Sequence, residues 1–170
     1  AARVDARGNP VLLLEQERSR WDRLLIRRGL AALDHAQSLP GPLDVYTLQA
    51  AIAACHARAA TAADTDWARI AALYDALAQA APSPVVALNQ AVAIGMAYGP
   101  AAGLERVEAL AGEPALRDYH LLPAVRGDLL EKLERLDEAR AEFARAAALA
   151  QNARERALLL ARAAGGGGEG

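Results

Sequence analysis

The chain has 170 residues, 54% of them apolar but only 4% aromatic, and its 19 basic and 21 acidic side chains leave a formal net charge of −2. That balance excludes a global electrostatic pull toward nucleic acid, and a single cysteine, Cys55, excludes an internal disulfide and suits a reducing cytoplasm. No apolar run approaches the ~20 residues that span a bilayer, so no membrane association is expected.

Much of the apolar content is alanine, the strongest helix former and a poor strand former. The fold expected is therefore all-α, with a core in which the few large side chains carry disproportionate weight. The chain opens Ala1-Ala2-Arg3 without an initiator Met or a signal peptide, and it reads as a piece of a longer protein.

Residues 1–16 form the first segment. Turn residues Gly8-Asn9-Pro10 precede the apolar run Val11-Leu12-Leu13-Leu14, which reads as an extended arm because no partner strand is in sight. A helix follows over Glu17–Leu39, with Trp21, Leu25, Ile26, Leu30 and Leu33 on one face. Pro40-Gly41-Pro42 ends it. A second helix spans Val45–Ala60, with Leu48, Ile52, Cys55 and Ala59 on one stripe. The capping signal Asp64-Thr65-Asp66 opens a third, which carries Trp67, Ile70, Ala71, Tyr74, Leu77 and Ala78.

Helices then start at Pro84, with Val85, Leu88, Val92 and Met96, and at Pro100, with Leu104, Val107 and Leu110. The next covers Leu121–Glu134 with Leu122, Val125, Leu129 and Leu133. Its Pro123 predicts either a start near Leu121 or a kink. Helices over Leu136–Ala150 and Ala153–Ala163 complete a helical domain of residues 17–163, and the glycine-rich residues 164–170 read as a disordered tail.

Gly127, Ala139, Phe143 and Ala146 stand at relative offsets 0, 12, 16 and 19. This is the spacing of a tetratricopeptide repeat, a helix–turn–helix of about 34 residues. Gly127, Ala139 and Ala146 let two helices approach. Phe143 fills the gap to the next pair, and the Ala153 helix caps the array. Tyr74 and Pro82, eight residues apart, suggest an earlier unit more weakly. The expected architecture is thus tandem antiparallel helix pairs stacked in a right-handed, tetratricopeptide-like superhelix, preceded by the short arm. Ordinary hairpins in a globular bundle are the alternative.

Catalysis is not indicated. His35, His56 and His120 are scattered without HxxxH or HExxH spacing. Cys55 lies on an apolar stripe, where a buried, inert thiol is the expectation. No metal or cofactor motif is present, so no cofactor is expected. The densest polar cluster is Glu15-Gln16-Glu17-Arg18-Ser19-Arg20-Trp21-Asp22. It reads either as a solvated helix start anchored by Trp21 or as a docking surface rich in the Arg and Trp favoured at interfaces. Trp21 and Trp67 are expected to anchor the core, each worth ~3–5 kcal/mol on truncation to Ala.

The stretch from Asp5 through Gly8, Val11, Glu15, Arg18 and Trp21 to Asp22 resembles a signature of one group of extracytoplasmic-function sigma factors of RNA polymerase. In these a sigma-2 and sigma-4 core precedes a long tetratricopeptide-like extension, the DUF6596-type region. The resemblance continues through Tyr46–Ala57, Thr65-Asp66-Trp67, Leu73-Tyr74, Ser83-Pro84, Leu88-Asn89, Ala91-Val92-Ala93, Gly99-Pro100, Gly103-Leu104 and Tyr119–Leu122, covering about residues 5–162. Two positions depart from the group: Glu17 stands where Asp is commoner, and Gln90 where Arg is commoner.

The resemblance implies a cytoplasmic, bacterial regulatory domain that contacts its own sigma-2/sigma-4 core or RNA polymerase and does not itself bind DNA. A small protein of the DGPF (YCII-related) type is implied as a candidate partner. The alternative is a helical ligand-sensing or adaptor domain, with Cys55, His56, Tyr119 and His120 near a small-molecule pocket.

Overall fold

The computed structural model describes residues 44–59, 61 and 63–165, together with Leu24, Ile26, Arg27, Arg28, Leu30, Ala31 and Leu33, which are helical. The arm of residues 1–16 and the tail beyond Gly165 lie outside the described residues. Among the described residues the protein is all-helical, without a strand. The chain divides into two compact units, Ala1–Pro82 and Ser83–Gly170.

In the first unit, α1 (Val45–Arg58) and α2 (Trp67–Ala80) pack against each other. Each starts where a carboxylate satisfies an otherwise orphaned backbone donor. Asp44 accepts from Thr47 N at 2.7 Å, and Asp66 accepts from Arg69 N at 2.9 Å. Asp44 is thereby held below its ordinary value of 3.8, chiefly by that backbone bond. Between the helices, Thr61 donates through both its N–H and its hydroxyl to Asp64, and the Asp64 N–H donates back to the hydroxyl. Leu33 is buried with Ala51 and Ala54, so alanines on α1 admit a larger side chain from the preceding helical stretch.

The second unit holds α3 (Pro84–Tyr98), α4 (Pro100–Ala109), a 3-10 turn at Pro114–Leu116, α5 (Leu121–Lys132), α6 (Leu136–Leu149) and α7 (Ala153–Ala163). Each helix packs on the next in the chain. The proline-led starts of α3 and α4 are observed, as proline lacks an N–H that the first turn cannot pair. Pro123 is accommodated likewise: α5 begins at Leu121, which leaves the proline in the first turn without a kink-forming clash. Asn152 caps α7, accepting from Arg154 N and Glu155 N.

The two helix pairs close differently. A single residue, Gly99 at φ 102°, links α3 to α4, and one turn away on either side the two backbones approach closely at Gly95 and Gly103. A methyl group added at Gly103 comes within 2.7 Å of the Gly95 Cα. This approach corrects the expected face of α3. The buried positions are Leu88, Ala91, Ala93 and Gly95, whereas Val85 is exposed and Val92 and Met96 are half-buried. At Ala91 and Gly95 the close approach of Gly103 on α4 favours small residues.

The α5–α6 link is three residues long. Its Glu134 takes the left-handed region at φ 60°, while Arg135 N donates to Leu130 O and Glu134 N to Glu131 O. That bond pattern is the Schellman motif, with Glu where Gly is usual. So short a link between packed helices makes them antiparallel.

The core of this unit runs from Leu88 on α3 through Leu104, Leu116, Leu129 and Phe143 to Leu159 on α7. Several contacts join helices one pair apart in the chain, three of them as follows. Gly95 on α3 lies against Leu129 on α5, 34 positions on. His120, at the start of α5, pairs with Glu155 at the start of α7, 35 positions on. Asp128 accepts from Arg162 near the end of α7, 34 positions on. Start meets start and end meets end, so α5 and α7 run parallel at a spacing of about one tetratricopeptide unit.

No helix among the described residues is long and apolar enough to cross a membrane.

Candidate functional site

The cluster Glu15, Gln16, Glu17, Arg18, Ser19, Arg20, Trp21 and Asp22 lies outside the described residues. The repeat residues are described, and the structure brings them together. Ala139, Phe143 and Ala146 are buried at 2%, 1% and 0% exposure. The ring of Phe143 lies directly on Gly127, where an added methyl would sit 2.6 Å from Cε1. Gly127 therefore makes room for a ring rather than for a backbone. On its other side Phe143 is covered by the Arg162 guanidinium, 4.0 Å from the ring centre.

Trp67 and Tyr74 belong to the first unit, and both are half-buried. The Trp67 ring meets His56 edge-on at 5.2 Å between centres. Burial raises the Tyr74 phenol above its ordinary 10.0. Nearby, Cys55, Arg58, Ala59, Asp64, Asp66 and Arg69 line an open cleft of about 340 Å³. Burial is also the main cause that lifts the Cys55 thiol above its ordinary 9.0, which disfavours the nucleophilic thiolate. Two of its cleft neighbours are committed elsewhere: Asp66 to Arg69 N, and Asp64 to Thr61. Tyr119 and His120 belong to the second unit. Their rings tilt against each other at 5.9 Å, and His120 Nε2 pairs with Glu155 at 2.9 Å. No group of three His, Cys, Asp or Glu side chains suited to hold a metal ion occurs among the described residues.

The most developed polar geometry lies across α4 to α7, and local sequence reasoning missed it. Arg126 on α5 donates to Glu142 on α6 at 2.8 Å and to Glu108 on α4 at 3.3 Å. Glu142 is 12% exposed and also faces Arg145 at 3.9 Å. This ladder borders a hollow of about 140 Å³, floored by Val107, Ala111 and Leu122.

A second ladder centres on Arg162. It donates to Asp128 and, at 2.5 Å, to Glu131, both on α5. Burial opposes the Arg162 charge, but the two carboxylates outweigh it and hold the proton more tightly than in an ordinary arginine. Such part-exposed pairs are worth ~0–1 kcal/mol each, and the ring contact adds ~0.5–1 kcal/mol. Opposite charge 31 and 34 positions apart, rather than at the i,i+4 spacing of one helix, is the sequence signal for the Arg162 pairs, whereas the Arg126 pairs lie 16 and 18 positions apart.

Residues 1–37 match the model of a family of unknown function, DUF6596, which supports the DUF6596-type expectation over that stretch. That match contains the Glu15–Asp22 cluster. The chain is also similar to the "Uncharacterized protein R00370" of Rhizobium meliloti (strain 1021), at 49% identity over 160 residues. The similarity covers 93% of this chain but only 37% of that protein's length. No solved structure matches the chain.

Proposed function

We propose that this chain is a non-catalytic, regulatory protein–protein interaction domain, the tetratricopeptide-like extension of a bacterial extracytoplasmic-function sigma factor. On this reading it controls transcription initiation from the cytoplasm through contacts with its own sigma-2/sigma-4 core, with RNA polymerase or with a partner such as a DGPF-type protein.

The observation that carries the repeat reading is the spacing of cross-helix contacts. Gly95 meets Leu129 and Asp128 meets Arg162, each 34 positions on, with α5 and α7 parallel. A right-handed superhelix of antiparallel pairs is built from that repeat length. The sigma-factor reading rests on the resemblance carried by Asp5–Asp22, which falls within the DUF6596 match. That the similar rhizobial protein is much longer than this chain is in keeping with an extension of a larger protein. The non-catalytic reading is supported by the raised Cys55 thiol, which disfavours the nucleophilic thiolate.

In vitro transcription by the full-length protein tests the docking role. The triple variant Arg18→Ala, Arg20→Ala, Asp22→Ala is expected to lose regulated transcription and partner capture while keeping its fold. Wild-type transcription with unchanged partners removes the docking role from this cluster.

The Cys55–Arg69 cleft favours a second reading, a small-ligand sensor. Full regulatory function in a Cys55→Ser, Arg69→Ala double variant, which changes two residues that line the cleft, removes that reading.

A further inference from the structure

The C-terminal helix is attached to its unit unlike any other. α5 buries Leu122, Pro123, Gly127, Leu129 and Leu130, and α6 buries Ala139, Phe143, Ala146 and Ala147, whereas α7 buries Leu159 alone. Leu158 and Leu160 beside it are 49% and 52% exposed. Polar contacts at its two ends supplement Leu159 and the half-buried Ala163, which packs against the core. Glu155 at one end of α7 pairs with His120, and Arg162 at the other end bridges Asp128 and Glu131. The same guanidinium lies over the ring of Phe143, so one side chain grips both helices of the α5–α6 hairpin. The two Arg162 ion pairs are 26–44% exposed and therefore open to screening by salt. A segment with little apolar burial and exposed polar tethers belongs to the low-stability end of a fold, where local opening precedes global unfolding.

We propose that α7 is a strap held electrostatically on the α5–α6 hairpin, with Arg162 as its latch. The strap opens as a unit while the hairpin stays folded, and opening uncovers the ring of Phe143. Leu159 then leaves the core, and the extended backbone at Ala150 and Asn152 serves as the hinge. The strap stands on contacts within one compact unit and requires nothing of the regulatory reading above.

Hydrogen–deuterium exchange on the full chain tests it, with amides of 153–163 followed against those of 121–149. In the wild type at low salt, α7 should exchange faster than the hairpin, and raising the salt should widen the gap. Arg162→Met keeps the apolar stem and should speed α7 exchange about tenfold, leave the hairpin unchanged and abolish most of the salt response. Arg162→Lys keeps the charge but loses the two-carboxylate fork, so an intermediate rate is expected. Exchange of α7 and hairpin at one common rate overturns the strap, as does an Arg162→Met chain whose α7 keeps its protection and salt response. If Arg162→Met fails to fold, the wild-type salt series and Arg162→Lys decide the matter on the same readout.

Discussion

The α3–α4 and α5–α6 hairpins sit in one compact unit, and each depends on glycine for close contact, but by different means. In the first, Gly95 and Gly103 bring two backbones together, and the link shrinks to Gly99. In the second, Gly127 accepts the ring of Phe143, and the link is a three-residue Schellman turn through Glu134. A backbone contact has no rotamer to adjust, whereas a ring can be exchanged for a smaller group. The first hairpin should therefore be intolerant of added volume, and the second should be correctable by a compensating change.

Four substitutions probe this contrast, and chemical denaturation read by circular dichroism measures each. The largest effect is expected for Phe143→Ala, which empties the space over Gly127 and under Arg162 and should cost about 3–5 kcal/mol. A loss below about 1 kcal/mol would falsify its place at the centre of the second hairpin.

Gly103→Ala comes next, at about 2 kcal/mol, because the new methyl meets Gly95 Cα at 2.7 Å and Ala91 O at 3.1 Å. No side-chain change at a neighbouring position should restore it.

Gly127→Ala should cost less, about 1 kcal/mol, since the gain in helix propensity offsets part of the overpacking. That cost should vanish in a Phe143→Leu background, where the ring atom at 2.6 Å is gone. Equal costs in both backgrounds break the distinction between the hairpins.

The smallest effect is a gain. Glu134→Gly removes a side chain from a left-handed position and should stabilise by about 0.5 kcal/mol. The equivalent position of the first hairpin is already Gly99.

The first unit offers a pH contrast. Asp44 is depressed below 3.8 in the folded chain by its cap bond to Thr47. The stabilisation is fully present above that ordinary value and is lost as pH falls through the lower folded one. Asp44→Asn keeps a capping oxygen and should flatten the acid limb of the first unit's helicity. An unchanged acid limb removes the cap from the account.

Much of the secondary structure was legible in residues. The Asp66 cap, the prolines at 84 and 100, Pro123 in a first turn and the span Ala153–Ala163 are local chemistry, and the helices begin or end accordingly. The Gly127, Ala139, Phe143, Ala146 spacing likewise pointed to a single buried site. The face of α3 was less legible. Periodicity ranks positions by apolar size, and Val85, Val92 and Met96 outrank Ala91 and Gly95 on that scale. What selects small residues at Ala91 and Gly95 is the close approach of Gly103 on α4, which no single-helix pattern contains.

The sequence by itself thus determined that this protein is helical and where its helices start, because caps, prolines and alanine content act over one turn. Only the tertiary structure decided which carboxylates face which arginines. Arg162 reaches Asp128 and Glu131 because α5 and α7 lie parallel, and Arg126 reaches Glu108 and Glu142 because three helices pack in order. Charges far apart in the chain pair only once packing has fixed the geometry between them. The segment that grips least by burial, α7, is held by such pairs.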